Sequence, residues 1–223
     1  MRPPLDRPRP AFRRYALAAG LGCLAALSGC SLSPSSGPSV PAPLPPAYTP
    51  PVAAGQFCLD QLAERGIGFD MAPMGASLGY CTITNGVRVG RLLAAFDKAA
   101  TMTCPMALRV DDFEINVVQM AAQRLFNRRL VLIRQLSSYS CRNIAGTSRL
   151  SAHARGQAID IAGFELEGGI VISVKEHWSG SDARARFLRE VAHAACGIFS
   201  VVLTPDSNAD HHDHLHLDIG PRP

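Results

Sequence analysis

Past Gly29 the chain has no excess of charge of either sign. From Cys30 onward 17 Lys and Arg stand against 17 Asp and Glu, and the formal net charge of +4 resides in the leader, with five arginines and one aspartate. Nucleic-acid binding needs a basic patch on the folded part, so that class of partner is excluded. No Cys-x-x-Cys pair occurs, which argues against a thiolate zinc knuckle. No internal repeat is visible. The apolar run Tyr15 to Leu27 is too short to span a bilayer as a stable helix. Proline is scarce where a core could form: of 17, four precede Ala11 and eight lie between Ser31 and Pro51. Residues 53–223 remain, enough for one domain with a core and too few for two ordinary ones.

The leader has content of its own. Arg2, Arg7, Arg9, Arg13 and Arg14 precede the apolar run, which closes on Leu27-Ser28-Gly29-Cys30. A charged start, a short apolar centre and small residues before a cleavage point read as an export signal over residues 1–29. The closing tetrapeptide resembles a bacterial lipobox, which makes Cys30 the lipidated first residue of the mature protein. The other reading is an ordinary signal with a chance cysteine. Ser31, in place of an aspartate, is by resemblance to Gram-negative lipoproteins an outer-membrane signal, so the expected address is the periplasmic face of that membrane. Flanks around Arg13-Arg14 are poor for a twin-arginine signal. The proline-rich stretch after Cys30, residues 30–52, reads as a semi-extended tether, because proline removes backbone donors and fixes φ.

Five cysteines follow: Cys58, Cys81, Cys104, Cys141 and Cys196. An exported protein is expected to oxidise some of them, and the odd number leaves at least one thiol unpaired in a monomer, the expected state. Cys58–Cys81 is the expected bridge, since the two bracket a short segment. Gln56 to Gly66 reads as a helix, and Pro105 to Asn127 as a second, with Phe113, Val117, Met120, Ala121 and Leu125 at helical spacing. Leu130 to Leu136, Ala158 to Glu165, Ile170 to Lys175, Ile198 to Leu203 and Asp213 to Asp218 read as strands. A turn at Glu167-Gly168-Gly169 makes a hairpin, and Ser181 caps a helix from Asp182 to Ala195. The expected fold is a single α+β domain, a central antiparallel sheet flanked by helices.

Chemistry concentrates in two segments. His211, His212, His214 and His216 fall within six residues. On a strand, residues two apart share a face, so His214 and His216 lie together above a face backed by Leu215 and Leu217. The second segment, Ser151 to Asp160 (SAHARGQAID), sets His153 seven residues before Asp160. A carboxylate on a strand whose other face is apolar needs a partner, and a cation is the simplest. Nitrogen and oxygen donors without thiolates suit zinc with an open fourth position, where water is activated near neutral pH. His153, Asp160 and one of the His-x-His pair serve as ligands, and the other histidine is a base. For His211 and His212 a solvated loop is the other reading, while His177 and His193 read as structural and Trp178 as packing.

Ser-x-His-x-x-Gly-x-Ala-x-Asp followed by His-x-His resembles the zinc peptidase superfamily of lysostaphin-type enzymes, D-Ala-D-Ala carboxypeptidases, the penicillin-insensitive murein endopeptidase and the hedgehog domain. More narrowly, Ser138 to Arg142 (SYSCR), Ser151 to Asp160 and Asn208 to Asp218 are similar to the bacterial extensin-like C-terminal domain, over roughly Phe57 to Gly220. The resemblance implies His153, Asp160 and His216 as zinc ligands and His214 as general base. It implies His211 as a further active-site histidine and Arg142 as the group that binds a substrate carboxylate. For Arg142 a structural ion pair is the other reading. Asp213 precedes His214 with no glutamate nearby, which departs from the Glu-x-x-His pattern of carboxypeptidases and favours an endopeptidase-like site.

The expectation is therefore a lipid-anchored zinc peptidase acting on peptidoglycan stem peptides or crossbridges. A peptidoglycan-binding module that keeps the metal site without catalysis is the alternative. An exported metal-handling protein using the histidine cluster is a third.

Overall fold

The computed structural model describes residues 51–72 and 81–221. The expected export signal, Cys30 and the expected tether up to residue 50 lie outside the described residues. Helix α1 (Pro51–Glu64) begins on a proline, and it takes in the last two residues read as tether. Strands β1 (Phe69–Met71), β2 (Gly86–Arg91) and β3 (Ala95–Thr103) follow, none of them expected from the sequence. Helix α2 (Cys104–Phe113) is capped by the Thr103 hydroxyl, which accepts from the Met106 N–H. A π-helical turn over Glu114–Val118 leads into α3 (Gln119–Phe126), which ends on Asn127 in the left-handed region at φ 52°. The expected helix is thus present but not uniform. The wide turn shifts the helical phase, so Met120, placed on the apolar face by 3.6-residue spacing, is 65% exposed.

Strand β4 (Leu130–Ser137) runs into a loop, then a single 3₁₀ turn over Ala152–Arg155. Strand β5 (Ala158–Leu166) and β6 (Ile170–Ser173) form the expected hairpin. The second strand stops early, because the Ser173 hydroxyl accepts from the Glu176 N–H and starts α4 (Val174–His177). Helix α5 (Ala183–Ala195) is capped by Asp182 rather than Ser181. Strand β7 (Val201–Leu203), a 3₁₀ turn at Ala209–His211 and β8 (Leu215–Asp218) close the described chain, both strands shorter than expected.

The sheet order is β1-β2-β3-β4-β5-β8-β7, with β6 paired to β5 off that path. All pairs are antiparallel except β3 with β4. The α+β expectation holds, with this one parallel contact added. One face of β5 and β8 offers Ile159, Ile161, Leu215 and Leu217, all fully buried in the hydrophobic core. Each such side chain contributes about 1.5–3 kcal/mol by burial. The helices meet this core through aromatic edges: Phe164 with Phe187 of α5 at 5.4 Å, and Phe113 with Phe199 at 5.5 Å. The opposite face of the same two strands carries Asp160 and His216. No helix among the described residues is long and apolar enough to cross a membrane.

The bridges are Cys58–Cys104 and Cys81–Cys141, which corrects the expected Cys58–Cys81 pairing. Proximity in sequence misleads here. Cys58 sits on α1, which packs against α2, and Cys104 opens that helix. Cys81 instead lies beside the loop after β4, where the Tyr139 hydroxyl donates to its carbonyl oxygen. Cys196 is free and exposed, the unpaired thiol the odd count requires.

Candidate metal centre

The site is assembled by register. Asp160 of β5 and His216 of β8 are direct cross-strand partners. Their side chains therefore leave the same face side by side, and Asp160 Oδ1 lies 2.8 Å from His216 Nδ1. His153 comes from outside the sheet. Ser151 caps the 3₁₀ turn by accepting from the His153 N–H, and Gly156 ends that turn at φ 65°. A side chain at 156 would place Cβ 3.1 Å from the Thr103 backbone nitrogen, whose N–H donates to the Gly156 carbonyl. Glycine is thus required twice over: by the left-handed conformation and by the close approach of β3.

The Ser138–Arg142 segment forms the cradle. Ser138 oxygen accepts from His153 Nδ1 at 2.6 Å, the Ser138 hydroxyl accepts from the Thr101 N–H, and Ser140 N–H donates to the His153 carbonyl. With Nδ1 committed to a carbonyl, His153 turns its Nε2 inward. That nitrogen is 3.1 Å from Asp160 Oδ1 and 3.1 Å from His216 Nδ1. Nε2, Oδ1 and His216 Nδ1 are held together in a buried place, with His153 fully buried and Asp160 nearly so. A cation answers that arrangement, and one donor atom from each of His153, Asp160 and His216 falls within 4.8 Å of the others. The residues present fit a metal ion.

The charges agree. Burial pushes the Asp160 carboxyl upward, but hydrogen bonds from His153 and His216 outweigh it and hold the group well below the usual carboxylate range. Burial works against a charge on His216. Hydrogen bonds and charges from Asp160 and Asp218 prevail and raise its pKa to about 9. The cluster attracts positive charge, whether a proton or a dication.

Around the three donors the other expected residues gather. His214 precedes β8 by one residue, with Nε2 3.6 Å from Asp160 Oδ1 and Nδ1 2.8 Å from Asp213 Oδ1. His211 lies 5.1 Å from the His214 ring and 5.7 Å from the His216 ring, centre to centre. Its Nδ1 meets Asn208 Oδ1 at 2.6 Å. Burial, then the neighbouring His214 and His216, lowers its pKa. Arg142 Nη2 is 3.9 Å from Asp160 Oδ2, and the guanidinium borders a cavity of about 470 Å³ that opens onto the donors. His212 stays exposed, tied to the Ala209 carbonyl. His177 and His193 lie elsewhere, and Trp178 is buried with its Nε1–H on Asp206.

Asp213, Asn208, Asp218, Arg149, Arg155 and Gln157 also belong to this place and were not foreseen. Only Asp218 had a signal: it continues the alternation of His214 and His216. The others come from loops and short turns whose path no periodicity announces.

The chain thus presents an α+β domain with a buried histidine–carboxylate cluster on one sheet face. Among protein-family models, residues 56–222 match the Extensin-like protein C-terminus family, and the chain belongs to it. A search of curated proteins and one of solved structures gave no match.

Proposed function

We propose that this chain is a zinc peptidase of the lysostaphin and D-Ala-D-Ala peptidase superfamily. On this reading it cleaves amide bonds in peptidoglycan stem peptides or crossbridges, from a lipid anchor at Cys30 on the periplasmic face of the outer membrane. The single observation that carries the reading is the convergence of His153 Nε2, Asp160 Oδ1 and His216 Nδ1 at the floor of a cavity that His214 and His211 also border. Three protein donors with one side left to solvent are the donor set of a hydrolytic rather than a structural zinc site.

His153, Asp160 and His216 would hold the ion, which when bound supplies the Lewis acidity that makes water a nucleophile near neutral pH. His214 takes the water's proton at Nε2. Asp213 holds the Nδ1–H, fixes the tautomer and steadies the imidazolium until the proton passes to the leaving amine. Asn208 fixes the Nδ1–H of His211, whose Nε2 then accepts a hydrogen bond from substrate or water. The Arg142 guanidinium offers two parallel donors to a substrate carboxylate.

The test is zinc content of the purified protein together with mass spectrometry of muropeptides released from sacculi. Wild type should carry zinc and release cut peptides. His216→Ala should lose zinc, and His214→Ala should keep zinc and lose cleavage. Zinc-loaded wild type that binds sacculi and leaves them uncut would overturn the peptidase reading in favour of a binding module.

A further inference from the structure

We propose that Asp218 is a positioning residue of the metal centre: its carboxylate takes the Nε2–H of His216 and so commits Nδ1 to the ion. The inference rests on the metal-centre reading above and adds a residue to it.

The geometry runs along one strand face. His216 and Asp218 lie two residues apart on β8, so both project from the side that faces the cluster, with His214 just ahead of the strand. Asp218 Oδ2 lies 3.1 Å from His216 Nε2, on the far side of the ring from Asp160. The other oxygen, Oδ1, accepts from the Gly220 N–H at 2.9 Å. Both oxygens therefore have fixed partners, and the residue is only 8% exposed. No lysine or arginine among the described residues forms a salt bridge with this carboxylate. Among the described residues His216 is its one side-chain counterpart. A buried carboxylate balanced by a single imidazole is poorly compensated unless positive charge stands beyond that ring. A dication held by His216 would supply it, with Asp218 on the other side of the ring.

The backbone keeps the carboxylate in place. Asp218 pairs with Ala158 of β5 on one side and Val201 of β7 on the other, and its carbonyl accepts from the Ser200 N–H at 2.8 Å. The two ligating imidazoles are then held alike: His153 through Nδ1–H on the Ser138 carbonyl, His216 through Nε2–H on Asp218. Each ring is pinned on its outer nitrogen and turns the inner one to the shared point.

The experiment compares the full chain with Asp218→Ala and the near-isosteric Asp218→Asn. The first readout is zinc affinity by competition with a chromogenic chelator. The second is the ring-nitrogen NMR spectrum of histidine-labelled, zinc-loaded protein. Expected are a His216 ring protonated at Nε2 in wild type, and zinc binding weakened about 10- to 100-fold in Asp218→Ala, less in Asp218→Asn. Wild-type His216 bound to zinc through Nε2 would overturn the proposal. So would affinity within twofold of wild type in both variants, or in Asp218→Asn alone should the alanine variant not fold. Neither readout depends on hydrolysis. Zinc-loaded wild type that leaves sacculi intact sinks the peptidase reading and leaves Asp218 standing, whereas wild type that takes up no zinc overturns both.

Discussion

Asp160 and His216 are joined twice, as backbone partners of the β5–β8 ladder and through the 2.8 Å contact between Oδ1 and Nδ1. The ladder makes the contact cheap to hold. Neither side chain needs a mobile loop to reach the other, and the apolar neighbours Ile159, Ile161, Leu215 and Leu217 anchor both strands from behind. Only His153 must be brought in separately, and a short capped turn does so.

On the proposed reading, removing a metal donor should act differently from removing the base. His153→Ala, Asp160→Ala and His216→Ala should each abolish stoichiometric zinc by elemental analysis. His214→Ala should keep the metal and lower kcat about 10²- to 10⁴-fold on a muropeptide substrate. Asp213→Asn should lie between wild type and His214→Ala, since it weakens the hold on Nδ1 without removing the ring.

Gly156→Ala should destabilise the protein by about 1–2 kcal/mol, from the left-handed φ of 65° alone. The added methyl also presses on the Thr103 nitrogen at 3.1 Å, so β3 or the turn must give way. Urea unfolding measures the loss. Zinc affinity should fall with it, because the turn that shifts carries His153.

The Cys81–Cys141 bridge closes a span of 60 residues and ends one position before Arg142. Replacing both cysteines by serine should cost about 2–5 kcal/mol by thermal or denaturant unfolding. On the proposed peptidase reading, KM for peptides with a free carboxylate should rise more than kcat falls, since the cavity wall holding Arg142 loosens while His153, Asp160 and His216 keep their own supports.

Glu114 gives a pH signature away from the site. It is fully buried, with Oε1 accepting from the Ala94 N–H and Oε2 without a partner. Burial raises its pKa, against the hydrogen bonds from Ala94 and Gln119 that favour the charged form. A carboxyl whose folded pKa lies above its unfolded value contributes stability at low pH and loses it as pH rises from about 4.5 through the folded value. The melting temperature of wild type relative to Glu114→Gln should therefore be highest in acid and fall toward neutrality. A flat difference between pH 4 and pH 8 would contradict this.

Much of the site was legible because strand alternation and ligand spacing are local signals. Asp160 and His216 could be placed on strand faces from the neighbours Ile159, Ile161, Leu215 and Leu217 alone. Long-range pairing is not local, and it hid the rest. The sheet edge β1–β3 was missed because Ala95–Thr103 is rich in alanine and charged residues, weak in strand preference, and is fixed by its partners rather than by its own composition. The bridges failed for the same reason: which cysteines meet is decided by the packing of α1 on α2 and by Cys81 lying beside the loop after β4, which no spacing reveals. Met120 was misplaced because a π-helical turn breaks the period on which the reading relied.

Because the His216 ring sits on a period-two strand, a slip of β8 by a single residue would swap imidazole for leucine along the entire row. The chain has no half-correct version of this centre. On the proposed reading, a chain with that slip would leave peptidoglycan untouched, since it would not hold the ion on which cutting depends.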